Sequence, residues 1–167
     1  PPAVVSVFAV AGTSTHEQIR LLGQALEDSP DLVILGICAN DTEDWSRPEE
    51  FRAWRAEAIP RPPPAGFRAS RLLAWAHGKK EALRTARALV AYFRRLYDPA
   101  YSGRIRFDAA LARFAEICRV SNADLVAVVF PLLSLSLEEE AYPFLFVRDE
   151  VMASLHRHGI PAVDLWS

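Results

Sequence analysis

Two short clusters in the chain carry residue types that can stabilise a developing negative charge. In Gly12-Thr13-Ser14-Thr15-His16, a glycine can bring a bare backbone N–H close to a ligand, and the helix start that follows adds positive potential. In Cys38-Ala39-Asn40-Asp41, Asn40 carries a side-chain amide donor suited to the same anion. Asn followed by Asp also has a plainer use, because both side chains bond nearby backbone and favour turns. Ser14 faintly resembles the serine of a nucleophile elbow, but the second glycine of that motif is missing and its position suits a helix cap. His16, in the first turn of the same helix, is a candidate for facing the ligand. His77, His156 and His158 read as structural or surface groups, the last two favoured by the negative end of a helix. Cys38 and Cys118 lie far apart and read as free thiols, and no set of His, Cys and carboxylates has metal-ligand spacing, so no metal or cofactor is expected.

The pattern of buried strands is what must bring the two clusters together. Val4 to Val10 is a β-branched and aromatic run that predicts a strand buried on both faces, ending at Ala11-Gly12. Ser14 with Glu17, or Thr15 with Gln18, then forms a capping box opening a helix whose apolar stripe is Ile19, Leu22, Ala25 and Leu26. Pro30 disfavours helical geometry at Ser29, so the helix stops there, and Asp31 to Ile37 predicts a second buried strand. Such a βαβ unit makes a right-handed crossover, and ligands bind beyond the carboxyl ends of its strands, where Gly12 and Asn40 fall.

Further along, Pro60-Arg61-Pro62-Pro63-Pro64 is a stiff connection. Apolar residues recur at helical spacing from Phe67 to Leu96, with a break expected at Gly78 and hence two helices. A helix over Phe107 to Arg119, a strand over Ala123 to Phe130, a helix ending at His158-Gly159 and a strand over Ile160 to Leu165 complete the reading. Three loops, Gly12 to Thr15, Cys38 to Trp45 and Leu132 to Pro143, then converge on one edge of the sheet. The aromatic residues around them, among them Trp45, Trp54, Phe130, Tyr142 and Phe144, serve the core or line an apolar pocket.

Length and composition narrow the partners. A chain of 167 residues with 51% apolar and 24% charged residues suits one compact domain. The net charge of −2, with both signs interleaved, lacks the footprint nucleic-acid binding requires. The basic stretch from Arg84 to Arg95 reads as the wet face of a helix. No apolar run reaches the roughly 18 uncharged residues a membrane span needs. A small neutral partner fits best, and the compartment stays open.

Leu32-Val33-Ile34-Leu35-Gly36-Ile37-Cys38-Ala39-Asn40-Asp41 resembles the third conserved block of SGNH/GDSL hydrolases, and Phe8 to Gln18 is similar to the second, in which a Gly follows a strand and a Thr-rich helix start comes next. Ala123 to Pro131 and Gly159 to Leu165 look like the family's later strands, in the expected order. The resemblance implies a flavodoxin-like three-layer α/β/α sandwich with a mostly parallel sheet, one domain over residues 1–167 with a helical insertion at about 67–120. It implies hydrolysis of an ester or acyl group by a serine nucleophile, with Gly12 and Asn40 in the oxyanion hole. Asp41, His16 and Trp45 would stand on the substrate side, Asp41 orienting its loop, and the substrate would be a small ester or an acylated carbohydrate or lipid. The family's Gly-Asp-Ser block is expected before Pro1 and its Asp-x-x-His block after Ser167, so the nucleophile and the base are not in these 167 residues. The alternative, which the 167 residues read literally predict, is a non-catalytic ligand-binding module of the same fold. A nucleotide binder is the third reading, for which Gly12-Thr13-Ser14-Thr15 is only a weak phosphate loop.

Overall fold

A computed structural model describes residues 4–10, 12–44, 46–132 and 142–166. These form two compact units, one from residues 1–43 and 96–167, the other from residues 44–95. The first is an α/β unit built on a three-stranded parallel sheet: β1 (Leu32–Cys38), β2 (Asp124–Phe130) and β3 (Ala162–Asp164), in that order across the sheet. The register pairs Leu32 with Asp124 through Cys38 with Phe130, and Ala127 with Ala162 through Val129 with Asp164.

The connections explain how this sheet is held. The first helix, α1 (Thr15–Glu27), ends where Ser29 takes a left-handed backbone (φ 50°) ahead of Pro30. The helices leading into β2 and β3, here α4 (Ser102–Val120) and α5 (Leu145–Arg157), both finish in Schellman motifs. Asn122 and Gly159 adopt φ of 56° and 66°. Ala123 N donates to Cys118 O at 3.0 Å and Ile160 N to Leu155 O at 2.9 Å. Ala123 and Ile160 are themselves buried, so each helix end is anchored at the residue that starts the turn into the next strand.

Leu35, Ile37, Ala127 and Val129 form the buried face of the sheet. Helices α4 and α5 both pack on β2 and touch each other, and α1 packs on α4. Both crossovers advance the same way across the sheet, and right-handed crossovers in one direction set their helices on one face. Ile34, Val163 and Phe130 on the opposite face are 64%, 50% and 39% exposed, which is why β1 is buried on one side only and not on both as its composition predicts. Arg104 cross-links α4 to α5 from a buried position, donating to Ser154 Oγ at 2.7 Å and lying over the ring of Phe107.

The second unit is helical: α2 (Pro48–Ala58), a 3-10 turn (Ala65–Ala69) and α3 (Arg71–Leu96), whose last residue reaches the first unit. Trp54 stacks on Tyr92 with ring centroids 4.4 Å apart, and Arg84 donates to the carbonyls of Glu57 and Ile59 and to Glu81.

Two expectations need correcting. Val4 to Val10 pairs with no strand among the described residues, and its valines stand largely exposed, because the β1 edge carries no ladder partner there. Helix α3 runs unbroken through Gly78, since a single glycine weakens a long amphipathic helix without interrupting it. Helix α4 belongs to the unit that holds the sheet, and residues 44–95 form the other unit.

Candidate functional site

The loop after β1 is fixed at nearly every residue. Asp41 is buried, and its Oδ2 accepts the Thr15 hydroxyl at 3.1 Å and the Cys38 N–H at 3.1 Å. Ala39 O accepts the phenol of buried Tyr97 at 2.9 Å, and Glu43 N donates to Asn40 O at 2.9 Å. Thr42 packs so tightly on α4 that a Cβ on Gly103 would sit 2.0 Å from its carbonyl oxygen. Of Ala39 to Glu43, Asn40 alone is exposed, and its amide has no protein partner among the described residues.

The Gly12 loop is tied to the same frame through Thr15. Ser14 caps α1, its N–H donating to Glu17 Oε2 at 2.9 Å, so the Ser14–Glu17 capping box is the one used and the Thr15 hydroxyl is free to reach Asp41. Gly12 is exposed with φ of 76°, a left-handed backbone that a side chain would strain, and Thr13 Oγ1 donates back to Val10 O at 2.8 Å. The Thr15 to Asp41 bond thus links the loop carrying Gly12 to the loop carrying Asn40.

Burial pushes the Asp41 carboxyl up to about 6, against the lowering effect of the Cys38 N–H and the Thr15 hydroxyl. The Cys38 thiol is likewise raised by burial. Tyr97 is held protonated by burial, far above the ordinary tyrosine range. Glu17 is lowered chiefly by the Ser14 N–H, so it stays ionised at neutral pH.

Ser14, His16 and Glu17 sit together, but not as a proton relay. Ser14 Oγ lies 2.9 Å from His16 Nδ1 and 2.9 Å from Glu17 Oε2. A hydroxyl has one proton: given to the ionised Glu17, it leaves Oγ accepting from His16, which then cannot act as base through that nitrogen. Ser14 is also only 2% exposed. The cluster is a helix start.

Of the residues expected at the site, Gly12 and Asn40 lie exposed on loops joined by one hydrogen bond, and His16 is half-buried beside Ser14. Asp41 turns inward, its carboxylate bonded to Thr15 and Cys38. Trp45 and most of the third loop lie outside the described residues. Tyr97 and Gly103 went unnoticed in the sequence, where Thr15 reads only as a candidate helix cap. Thr15 carried a signal as the unused half of a second capping box, whereas nothing local marks Tyr97 as a partner of Ala39. No group of His, Cys and carboxylates able to hold a metal ion occurs among the described residues, and no helix there is long and apolar enough to cross a membrane.

No family model, curated protein or solved structure matches the chain.

Proposed function

We propose that these residues form the substrate-facing part of a serine ester hydrolase of SGNH/GDSL type, a three-layer α/β/α sandwich whose second helical layer would cover the exposed face of the sheet carrying Ile34 and Val163. The Gly12 N–H and the Asn40 side-chain amide serve as oxyanion donors, and the nucleophile and base come from residues outside 1–167. The observation that carries the reading is the loop of β1, every residue of which from Ala39 to Glu43 is buried except Asn40. A fixed loop presenting one unpaired amide is what preorganised anion stabilisation requires, because the donor then pays no reorganisation during reaction. Gly12, exposed in a left-handed backbone on the loop pinned by Thr15, is the matching second donor.

A specific observation supports a second reading, a non-catalytic ligand-binding module. The Ser14–His16–Glu17 geometry supplies no usable nucleophile and base. The test is fluorophosphonate labelling of the natural full-length protein, with peptide mapping of the adduct. The hydrolase reading expects an adduct on a serine outside residues 1–167, and a loss of about 100- to 1000-fold in ester turnover for Asn40→Ala with unchanged unfolding midpoint. No adduct sinks the hydrolase reading and leaves the binding module. Full turnover by Asn40→Ala removes Asn40 from the oxyanion hole.

A further inference from the structure

In the second unit, α3 turns an apolar face to solvent. Leu72, Ala76, Leu83 and Ala86 recur at helical spacing with Lys79 between them, and Trp75 lies one turn before Lys79 on the same side, so these residues form one strip along the helix. The strip does not serve the core: Leu72, Trp75 and Leu83 are 71%, 61% and 53% exposed. Packing engages the other side of α3, where Glu81 is buried against Arg84 and Tyr92 stacks on Trp54.

The charge along this strip has one sign. Glu81 is the one acidic residue of α3, and it lies on the far side. Lys80 and Arg87, four residues after Ala76 and Leu83, edge the strip, and Lys79 stands within it. All three are exposed, and none bonds a carboxylate among the described residues. The whole chain carries a net charge of −2, so this cationic face is a local arrangement and not a reflection of composition.

A protein groove closing over Leu72, Trp75 and Leu83 would desolvate Lys79 as well, which is unfavourable without a counter-ion. A lipid interface avoids this, because the long lysine stem stays among the acyl chains while its ammonium reaches the headgroup phosphates. Tryptophan favours the same boundary. Among the described residues no helix is long and apolar enough to cross a membrane, so the contact lies in the plane of the interface.

We propose that α3 is a membrane-surface helix that binds anionic bilayers, with Leu72, Trp75 and Leu83 entering the acyl boundary and Lys79, Lys80 and Arg87 held by lipid phosphates. No residue of the Asn40 loop takes part, so the helix binds whether or not the protein hydrolyses esters.

Flotation of the natural full-length protein with vesicles tests this, using phosphatidylcholine alone and an equal mixture of phosphatidylcholine with phosphatidylglycerol. Binding is expected to favour the mixture strongly and to weaken as salt is raised. Lipid brominated in the upper acyl chain should quench tryptophan emission, and Trp75→Phe should abolish the quench while leaving most of the binding. Changing Lys79, Lys80 and Arg87 together to Gln should weaken binding about 100-fold, at about fivefold per charge. Leu72→Ala with Leu83→Ala should weaken it by about tenfold or more. All five side chains are exposed, so the unfolding midpoint should stay with the parent. Equal affinity for the two vesicles, no binding to either, or binding that these substitutions leave unchanged overturns the inference. So does anionic binding without a Trp75 quench, which would make this face a basic patch for an acidic protein partner.

Discussion

The Thr15 hydroxyl donates to Asp41 Oδ2 across 26 residues of sequence, at 3.1 Å and with both residues buried. It joins the first turn of α1 to the turn that follows β1. A hydrogen bond to a charged group contributes about 1.5–3 kcal/mol net. Thr15→Val keeps the shape and removes the donor, so it should lower stability by about 2 kcal/mol at neutral pH, whereas Thr15→Ser should stay close to the parent. Urea unfolding of the three proteins checks this. Equal losses in Val and Ser would assign the effect to methyl packing instead.

Asp41 makes the fold sensitive to acid in an unusual direction. Its carboxyl is raised from 3.8 to about 6 in the folded chain, chiefly by burial. Below about pH 4 both folded and unfolded chains hold the proton, and above about pH 6 neither does. Between these limits the folded chain keeps a proton the unfolded chain has lost, so this group's contribution to stability falls as pH rises and stays low at neutral pH. Asp41→Asn has no such dependence and keeps an acceptor for Thr15. Going from pH 4 to pH 7, the variant should gain on the parent by up to about 3 kcal/mol. Denaturation curves of both proteins at the two pH values that shift in parallel would show that Asp41 is not desolvated in this way.

Much of the frame was legible because it rests on local signals. The strands β1 and β2, the helix stop at Ser29-Pro30 and the terminator at Gly159 follow from β-branched runs, proline sterics and left-handed glycine. The loop after β1 was placed by the rule that ligands gather beyond the carboxyl ends of parallel strands, and Asn40 is exposed on it. What could not be read is non-local. Val4 to Val10 has a strand's composition, but a strand exists only with a ladder partner. Gly78 looked like a break because a single glycine is judged by its own propensity, while α3 persists through the residues around it. The inward turn of Asp41 depends on Thr15 and Cys38, and the seating of its loop depends on Tyr97 and Gly103, more than fifty residues away in sequence.

Gly103 and Gly78 are both helical glycines with opposite prospects. At Gly103 a Cβ would lie 2.0 Å from the Thr42 carbonyl oxygen and 2.6 Å from the Tyr101 ring, and the carbonyl belongs to backbone that cannot rotate away. Gly103→Ala must therefore push α4 off the Asn40 loop, at a cost of about 2–3 kcal/mol or more. At Gly78 a Cβ meets no atom within 4 Å, so Gly78→Ala should stabilise α3 by about 0.5–1 kcal/mol through backbone entropy alone. Thermal unfolding gives the signs, and amide exchange locates them: faster exchange at the start of α4 for Gly103→Ala, slower exchange in the middle of α3 for Gly78→Ala. If Gly103→Ala were harmless, α4 would not be what seats the loop, and the fixed presentation of Asn40 would have to come from Asp41 and Tyr97 alone. On the proposed hydrolase reading, ester turnover separates the cases, because a displaced loop would misplace the Asn40 amide, while the Gly78 substitution would leave that amide where it is.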